Sequence, residues 1–213
     1  MTTLLNYYYS PDILECGVDE AGCGPLFGRV YTAAVIWNPN ITPHEWLNDS
    51  KKVTEKRRNY LFEYIKENAI DYQISYATET NIDNIGIYKA KIMSMHSAIK
   101  NLNVIPDKLL VDGDKFISYW NPDGPTSIIP HTCIVQGDSK YTSISAASIL
   151  AKVARDNYIK ELCDEKPELK KWYIHEHKGY CTKKHTDAIK KYGITQYHRK
   201  TYGLCKIQKI NQI

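Results

Sequence analysis

Apolar and polar positions along the chain follow two periods, and the switches between them mark the elements. Ile13 to Val18 is a short β-branched run that ends at Asp19 and Glu20. Gly22 and Gly24 then punctuate a turn before a second apolar run, Val30 to Trp37, so two strands joined by a tight glycine-bearing loop are predicted. Thr54 can cap a helix over Thr54 to Asn68, in which Tyr60, Leu61, Tyr64 and Ile65 recur at helical spacing. From Ile70 to Ala77 the pattern alternates, with Ile70, Tyr72, Ile74 and Tyr76 on one face, which predicts a half-buried strand completing an antiparallel meander. Ile85, Tyr88, Ile92, Met95, Ile99 and Leu102 step by three or four and predict a helix from about Asn84 to Asn101.

Leu109 to Val111 and Cys133 to Val135 read as short buried strands, the first ending at Asp112 and Gly113 and the second near Gly137 and Asp138. Ser143 to Leu162 is a long helix whose Ala146, Ala147, Ala151 and Ala154 allow close approach to a sheet. The remainder is basic and mostly helical, with Thr182 as a cap and Gly193 placed to end the helix carrying Ala188, Ile189 and Tyr192. Strand, strand, helix, strand, helix, strand, strand, helix is a mixed α/β order, in which ligands collect beyond strand ends.

Composition narrows the class. The 213 residues suit one domain, and 43% hydrophobic with 24% charged residues is the balance of an ordinary folded chain. The net charge of +4 permits a polyanionic partner without demanding one. The longest apolar run, Val30 to Trp37, is far short of the roughly 20 residues that span a bilayer. Met1 to Ser10 carries no basic residue and no signal-like apolar core, so an intracellular, cytoplasmic location is expected. The six cysteines form no C-x-x-C pair and are read as reduced thiols.

The acidic residues at strand ends supply the candidate chemistry. Adjacent acids such as Asp19 and Glu20 commonly sit in solvated turns, but two further Asp residues, Asp112 and Asp138, each border an apolar run and a glycine. Four carboxylates sharing one mouth would repel. Hard divalent cations such as Mg²⁺ or Mn²⁺ offset that charge, and an ion pair about 3.5 to 4 Å apart serves in-line displacement at phosphorus. His175, Glu176 and His177 lack the spacing that puts two imidazoles on one helical face, so zinc is not expected there. His131 and Asp156 are read as structural.

These motifs resemble ribonuclease HII, the type 2 ribonuclease H family, across nearly the whole chain. The resemblance rests on Gly17-Val-Asp-Glu-Ala-Gly-Cys-Gly-Pro-Leu26, Asp49-Ser-Lys-Lys52, and Val111-Asp-Gly113. It continues through Gly137-Asp-Ser-Lys140, Ser145-Ala-Ala-Ser-Ile-Leu-Ala-Lys152 with Arg155 and Asp156, His177-Lys-Gly-Tyr180 with Thr182, Lys183 and His185, and His198-Arg-Lys200. It implies a ribonuclease H-like fold: a mixed five-stranded sheet flanked by helices, one domain over 1–213, with a C-terminal helical extension from about 165 that contributes to substrate binding.

The implied activity is endonucleolytic hydrolysis of RNA in RNA/DNA hybrids, and cleavage 5′ to ribonucleotides embedded in duplex DNA, leaving 3′-hydroxyl and 5′-phosphate ends. Two divalent ions, Mg²⁺ or Mn²⁺, would be held by Asp19, Glu20, Asp112 and Asp138, in a monomer that needs no membrane. The substrate-binding residues carried over are Gly22, Cys23, Gly24, Lys51, Lys52, Ser143 and Tyr180. The 2′ hydroxyl would meet backbone groups of the glycine loop, with Tyr180 at the ribose. In the family that loop reads glycine-arginine-glycine; Cys23 here removes the guanidinium, and Arg29 is a candidate replacement for its charge. A hybrid-binding subunit without turnover is the competing reading from another class, and an integrase- or resolvase-like nuclease a third.

Overall fold

The computed structural model describes residues 4–121 and 127–211; Met1 to Thr3, part of the stretch read as carrying no leader, lie outside them. Five strands form one sheet: β1 (Glu15–Ala21), β2 (Val30–Trp37), β3 (Ala69–Ala77), β4 (Lys108–Asp112) and β5 (His131–Ile134), in the order β3-β2-β1-β4-β5. The first three make the expected antiparallel meander, whereas β1, β4 and β5 run parallel and direct their C-terminal ends to one edge. Between β3 and β4 lie α2 (Glu79–Ile85) and α3 (Ile87–Lys100); α1 (Glu55–Asn68) precedes β3 and α4 (Thr142–Glu165) follows β5. The mixed α/β reading therefore holds.

Two cores sandwich the sheet. On one face α1 and α4 bury Leu61, Ile65, Ala146, Ala147, Ile149 and Leu150 against Ala33, Val35 and Trp37. On the other, Ile92, Met95, Ala98 and Ile99 of α3 cover Cys16, Val18, Ala34, Ile36, Leu109 and Val111. The small residues of α4 permit close contact with β1: a Cβ on Gly17 would fall 2.2 Å from the Ser143 carbonyl carbon. Alternation along β1 thus sends Gly17 and Asp19 to the α4 face, and Cys16, Val18 and Glu20 to the α3 face.

Several sequence expectations are sharpened or corrected. The first strand, expected to be closed by Asp19 and Glu20, runs one residue past them to Ala21, because Glu20 and Ala21 still pair with Thr32 and Tyr31 of β2. Asp19 and Glu20 therefore lie in the strand, as expected, and not in a solvated turn. The helix expected from Asn84 to Asn101 is two helices broken at Gly86, whose φ of 80° lies outside helical space. The C-terminal part adds α5 (Ile174–His177) and α6 (Lys183–Tyr192) but also a small two-stranded pairing of β6 (Ile194–Thr195) with β7 (Ile210–Asn211).

Residues beyond α4 pack on the β1–β2 loop through Leu26, Phe27, Ile159, Leu169, Trp172, Ile174, Ile189 and Cys205. Leu26 N–H donates to Gly179 O and Gly28 N–H to Tyr197 O, both at 2.9 Å. No helix among the described residues is long and apolar enough to cross a membrane. All six cysteines are free.

Candidate active site

Parallel pairing of β1 with β4 aligns Val18 with Val111, so Asp19 and Asp112 come next to each other in register. Leu109 and Val111 belong to the α3-side core while Leu110 packs on Ile144 of α4, so alternation sends Asp112 to the same face as Asp19. Asp138 enters from the short 3₁₀ turn Gly137–Ser139, which Asp112 fixes by accepting the Gly137 N–H at 2.8 Å. Three of the four predicted acids share one side of the strand ends. Glu20 leans to the other side, toward α3.

The electrostatics record the crowding. Asp19 is 4% exposed, and its carboxyl is held well above the usual range by burial and then by the negative charges of Glu20 and Asp112. The Glu20 N–H, donated to Asp19 Oδ1 at 2.6 Å, and the Ser148 hydroxyl oppose that rise. Burial and the charges of Asp112 and Asp49 push Asp138 up to about 6. Such a set of hard oxygen donors, destabilised as anions, suits divalent cations better than any single proton arrangement. As the side chains stand, no three Asp, Glu, His or Cys residues among those described converge tightly enough to coordinate an ion. Glu20 is engaged instead by Lys91, whose Nζ is 3.3 Å from Oε2.

Asp49 is a carboxylate that sequence reasoning quoted but gave no role. Its side chain hydrogen-bonds with Asp138, and its Oδ1 accepts the Lys51 N–H at 2.9 Å. Its neighbour Ser50 is anchored to α4, its hydroxyl oxygen lying 3.0 Å from that of Ser148. Lys51 thereby faces the acids: burial works against its charge, but Asp49, Asp19, Asp138 and Asp112 outweigh this and raise its pKa. Lys52 is exposed and reaches Asp49 at 4.0 Å.

The glycine loop is shaped by two buried guanidinium groups. Arg199 donates to the carbonyls of Gly22, Cys23 and Gly28 at 2.6, 2.9 and 2.9 Å. Arg155 donates to those of Phe27, Arg29 and Lys178. Gly22, at φ 99°, has no room for a Cβ, which would meet Arg155 Nε at 2.2 Å; a Cβ on Gly24 would touch nothing within 4 Å. The Cys23 thiol, pushed up to about 12 by burial and then by Glu20, donates to Glu20 Oε1 at 3.5 Å and is no thiolate ligand.

Arg29 does not take up the missing charge in this loop. Its guanidinium lies 4.2 Å from the Tyr76 ring centre and 4.5 Å from that of Tyr158, clamped between two aromatic faces. Tyr180 is exposed beside the loop, over Arg155 at 5.7 Å. Ser143 is instead buried beneath Gly17 and presents no surface at the rim.

Asp156 accepts from Lys152 and Lys178 at 2.7 and 2.8 Å, with Arg58 at 3.8 Å, and braces α4. His177 has its Nε2 at 3.0 Å from Trp172 O and its Nδ1 receives the Gly179 N–H, so no zinc set forms there.

Residues 16–205 match the family profile described as Ribonuclease HII. A ribonuclease HII of Bacteroides thetaiotaomicron is 45% identical over 204 residues, 96% of each chain. One of Parabacteroides distasonis is 47% identical over 197 residues, 92% of this chain and 94% of that one. The crystal structure of ribonuclease H2 from Pyrococcus horikoshii OT3 superposes with a TM-score of 0.70 at 26% identity, covering 90% of this chain and 95% of that one.

Proposed function

The chain belongs to the ribonuclease HII family of metal-dependent nucleases, and from that premise we propose that it hydrolyses the RNA strand of RNA/DNA hybrids and cuts 5′ to ribonucleotides embedded in duplex DNA, leaving 3′-hydroxyl and 5′-phosphate ends. The observation that carries the reading is the pairing of Asp19 with Asp112 on adjacent parallel strand ends, with Asp138 beside them and Glu20 next in sequence. Those four residues would hold two divalent ions, Mg²⁺ or Mn²⁺, which supply an ionised water and neutralise charge on the leaving 3′ oxygen.

The protein's own groups do the rest. Asp19 keeps its orientation through the Glu20 N–H and Ser148, and Asp112 keeps Asp138 near by gripping Gly137 N–H. Backbone groups of Gly22, Cys23 and Gly24, held in shape by Arg199, would read the 2′ hydroxyl, the feature that separates RNA from DNA. Tyr180 would pack on the ribose. Lys51 and Lys52 would contact backbone phosphates. Residues 165–213 act as an extension of one catalytic domain, clamping that loop and adding substrate surface, in a monomer.

A duplex carrying a single ribonucleotide, run on a gel beside a full hybrid with Mg²⁺ or Mn²⁺, tests the reading. Scission on the 5′ side of the ribonucleotide, with a 3′-hydroxyl left behind, is expected. Tight binding with no scission in either ion would mean a hybrid-binding subunit instead.

A further inference from the structure

The α3 side of the site holds a cation that neither the composition nor the strand-end acids announce. Lys91 sits on α3 between the buried Ala90 and Ile92, and only 18% of its side chain is exposed. Its ammonium is 3.3 Å from Glu20 Oε2, while the thiol of Cys23 donates to Oε1 of the same carboxylate at 3.5 Å. Both oxygens of Glu20 are therefore engaged by the protein. Each oxygen keeps a further lone pair, but a dication approaching Glu20 meets the like charge of the ammonium, so the two compete for the carboxylate.

We propose that Lys91 is a substrate-positioning residue: it neutralises Glu20 in the metal-free protein, and once Glu20 turns to the divalent ions it binds a phosphate of the incoming nucleic-acid strand beside the Cys23 loop. The inference rests on the assignment of Glu20 as a metal ligand made above. Neighbouring cations are committed elsewhere. Arg29 is clamped between Tyr76 and Tyr158, Arg199 is spent on three loop carbonyls, and Arg155 donates to three more. Lys51 and Lys52 approach with Asp49, on the Asp138 side.

An ammonium largely withdrawn from water is costly once its counter-ion is lost, so a replacement anion is drawn to it. A phosphodiester oxygen is such an anion. Lysine, a point charge on a flexible stem, can swing from one acceptor to the other without the fork geometry a guanidinium requires. The exchange couples ion loading to strand binding.

Equilibrium binding of a fluorescently labelled RNA/DNA hybrid, by anisotropy over a series of salt concentrations, tests this in EDTA and in Ca²⁺, a hard oxygen-seeking ion, with the hybrid checked intact on a gel. In Ca²⁺, Lys91→Met should weaken binding about tenfold and reduce the slope of log K against log salt by about 0.9, the value of one lost phosphate contact. In EDTA the two proteins should differ less than about twofold, because Lys91 remains with Glu20. Lys91→Arg should restore most of the slope.

An unchanged slope in Ca²⁺, or an equal loss in EDTA and Ca²⁺ accompanied by a lowered Tm, would overturn the proposal and leave a purely structural ion pair. Lys91→Gln, read the same way, decides the matter if the methionine variant folds poorly. Wild-type protein that binds hybrid tightly while Lys91→Met keeps its slope sinks this inference alone. Wild-type protein that neither binds nor cleaves hybrid sinks the functional reading with it.

Discussion

Replacing Asp138 by Asn removes one negative charge from the metal-free site while nearly preserving the shape of the side chain, and the sign of its effect changes with pH in a way that can be worked out. The Asp138 carboxyl is raised from 3.8 to about 6 by burial and then by the charges of Asp112 and Asp49. Below 3.8 both folded and unfolded chains are protonated there, so no penalty exists. Between 3.8 and 6 the unfolded chain ionises first, and above 6 the penalty is complete. At about 1.4 kcal/mol per pH unit the full value is about 3 kcal/mol; water at the rim of the site reduces the working figure to about 1 to 2 kcal/mol.

Asn mimics the protonated carboxyl, so Asp138→Asn in EDTA at pH 8 should melt about 2 to 8 °C above the parent, given about 2 to 4 °C per kcal/mol for a chain of this size. Thermal melts from pH 4 to pH 8 should show the gap closing toward acid. Saturating Mg²⁺ should reverse the order, since the parent binds the ion better and gains more from it. A variant that melts below the parent at pH 8 in EDTA, or a gap independent of pH, would refute the charge-crowding argument and make Asp138 a structural hydrogen-bonding residue.

Asp19→Asn and Asp112→Asn should each lower hybrid cleavage by about a hundredfold or more while leaving hybrid binding by anisotropy measurable, because the positioning contacts lie elsewhere. Gly22→Ala should destabilise by at least about 2 kcal/mol in urea melts, through its φ of 99° and the clash with Arg155, whereas Gly24→Ala should stay within about 0.5 kcal/mol. Equal effects at the two glycines would contradict the packing described. Arg199→Met strands three loop carbonyls and should cost about 3 kcal/mol by the same measurement. Burial lowers His185 to about 4 and His198 to about 3, so both imidazoles are neutral in the fold, and the stability they carry is complete above pH 6.5 and lost as pH falls toward 4. A parent Tm that stays flat over that interval would be inconsistent with the buried pair.

The parts of the fold written in local pattern were legible. Alternation in β3, the apolar run of β2 and the small-residue stripe of α4 each record a burial requirement within a few residues, whereas the spacing of the acids at strand ends left their convergence open. What escaped was whatever depends on distant partners. Asp49 meets Asp138 only because Ser50 docks on α4, and Lys91 reads as an ordinary polar position within an apolar helical stripe. Arg155 and Arg199 carry no local signature of burial, since their partners are backbone carbonyls remote in sequence. The break at Gly86 was missed because the apolar spacing continues across it; only the positive φ interrupts the helix.

The grip of Arg199 on Gly22 and Cys23 bridges 177 and 176 positions of chain. During synthesis on the ribosome, Asp19, Glu20, Asp112 and Asp138 all emerge before that arginine does, so a polypeptide cut short of it carries the four acids without the clamp on the neighbouring loop. Shaping of the Gly22–Cys23 turn therefore waits until residue 199 has been made and docked, and fragments that stop short of it keep that turn ungripped.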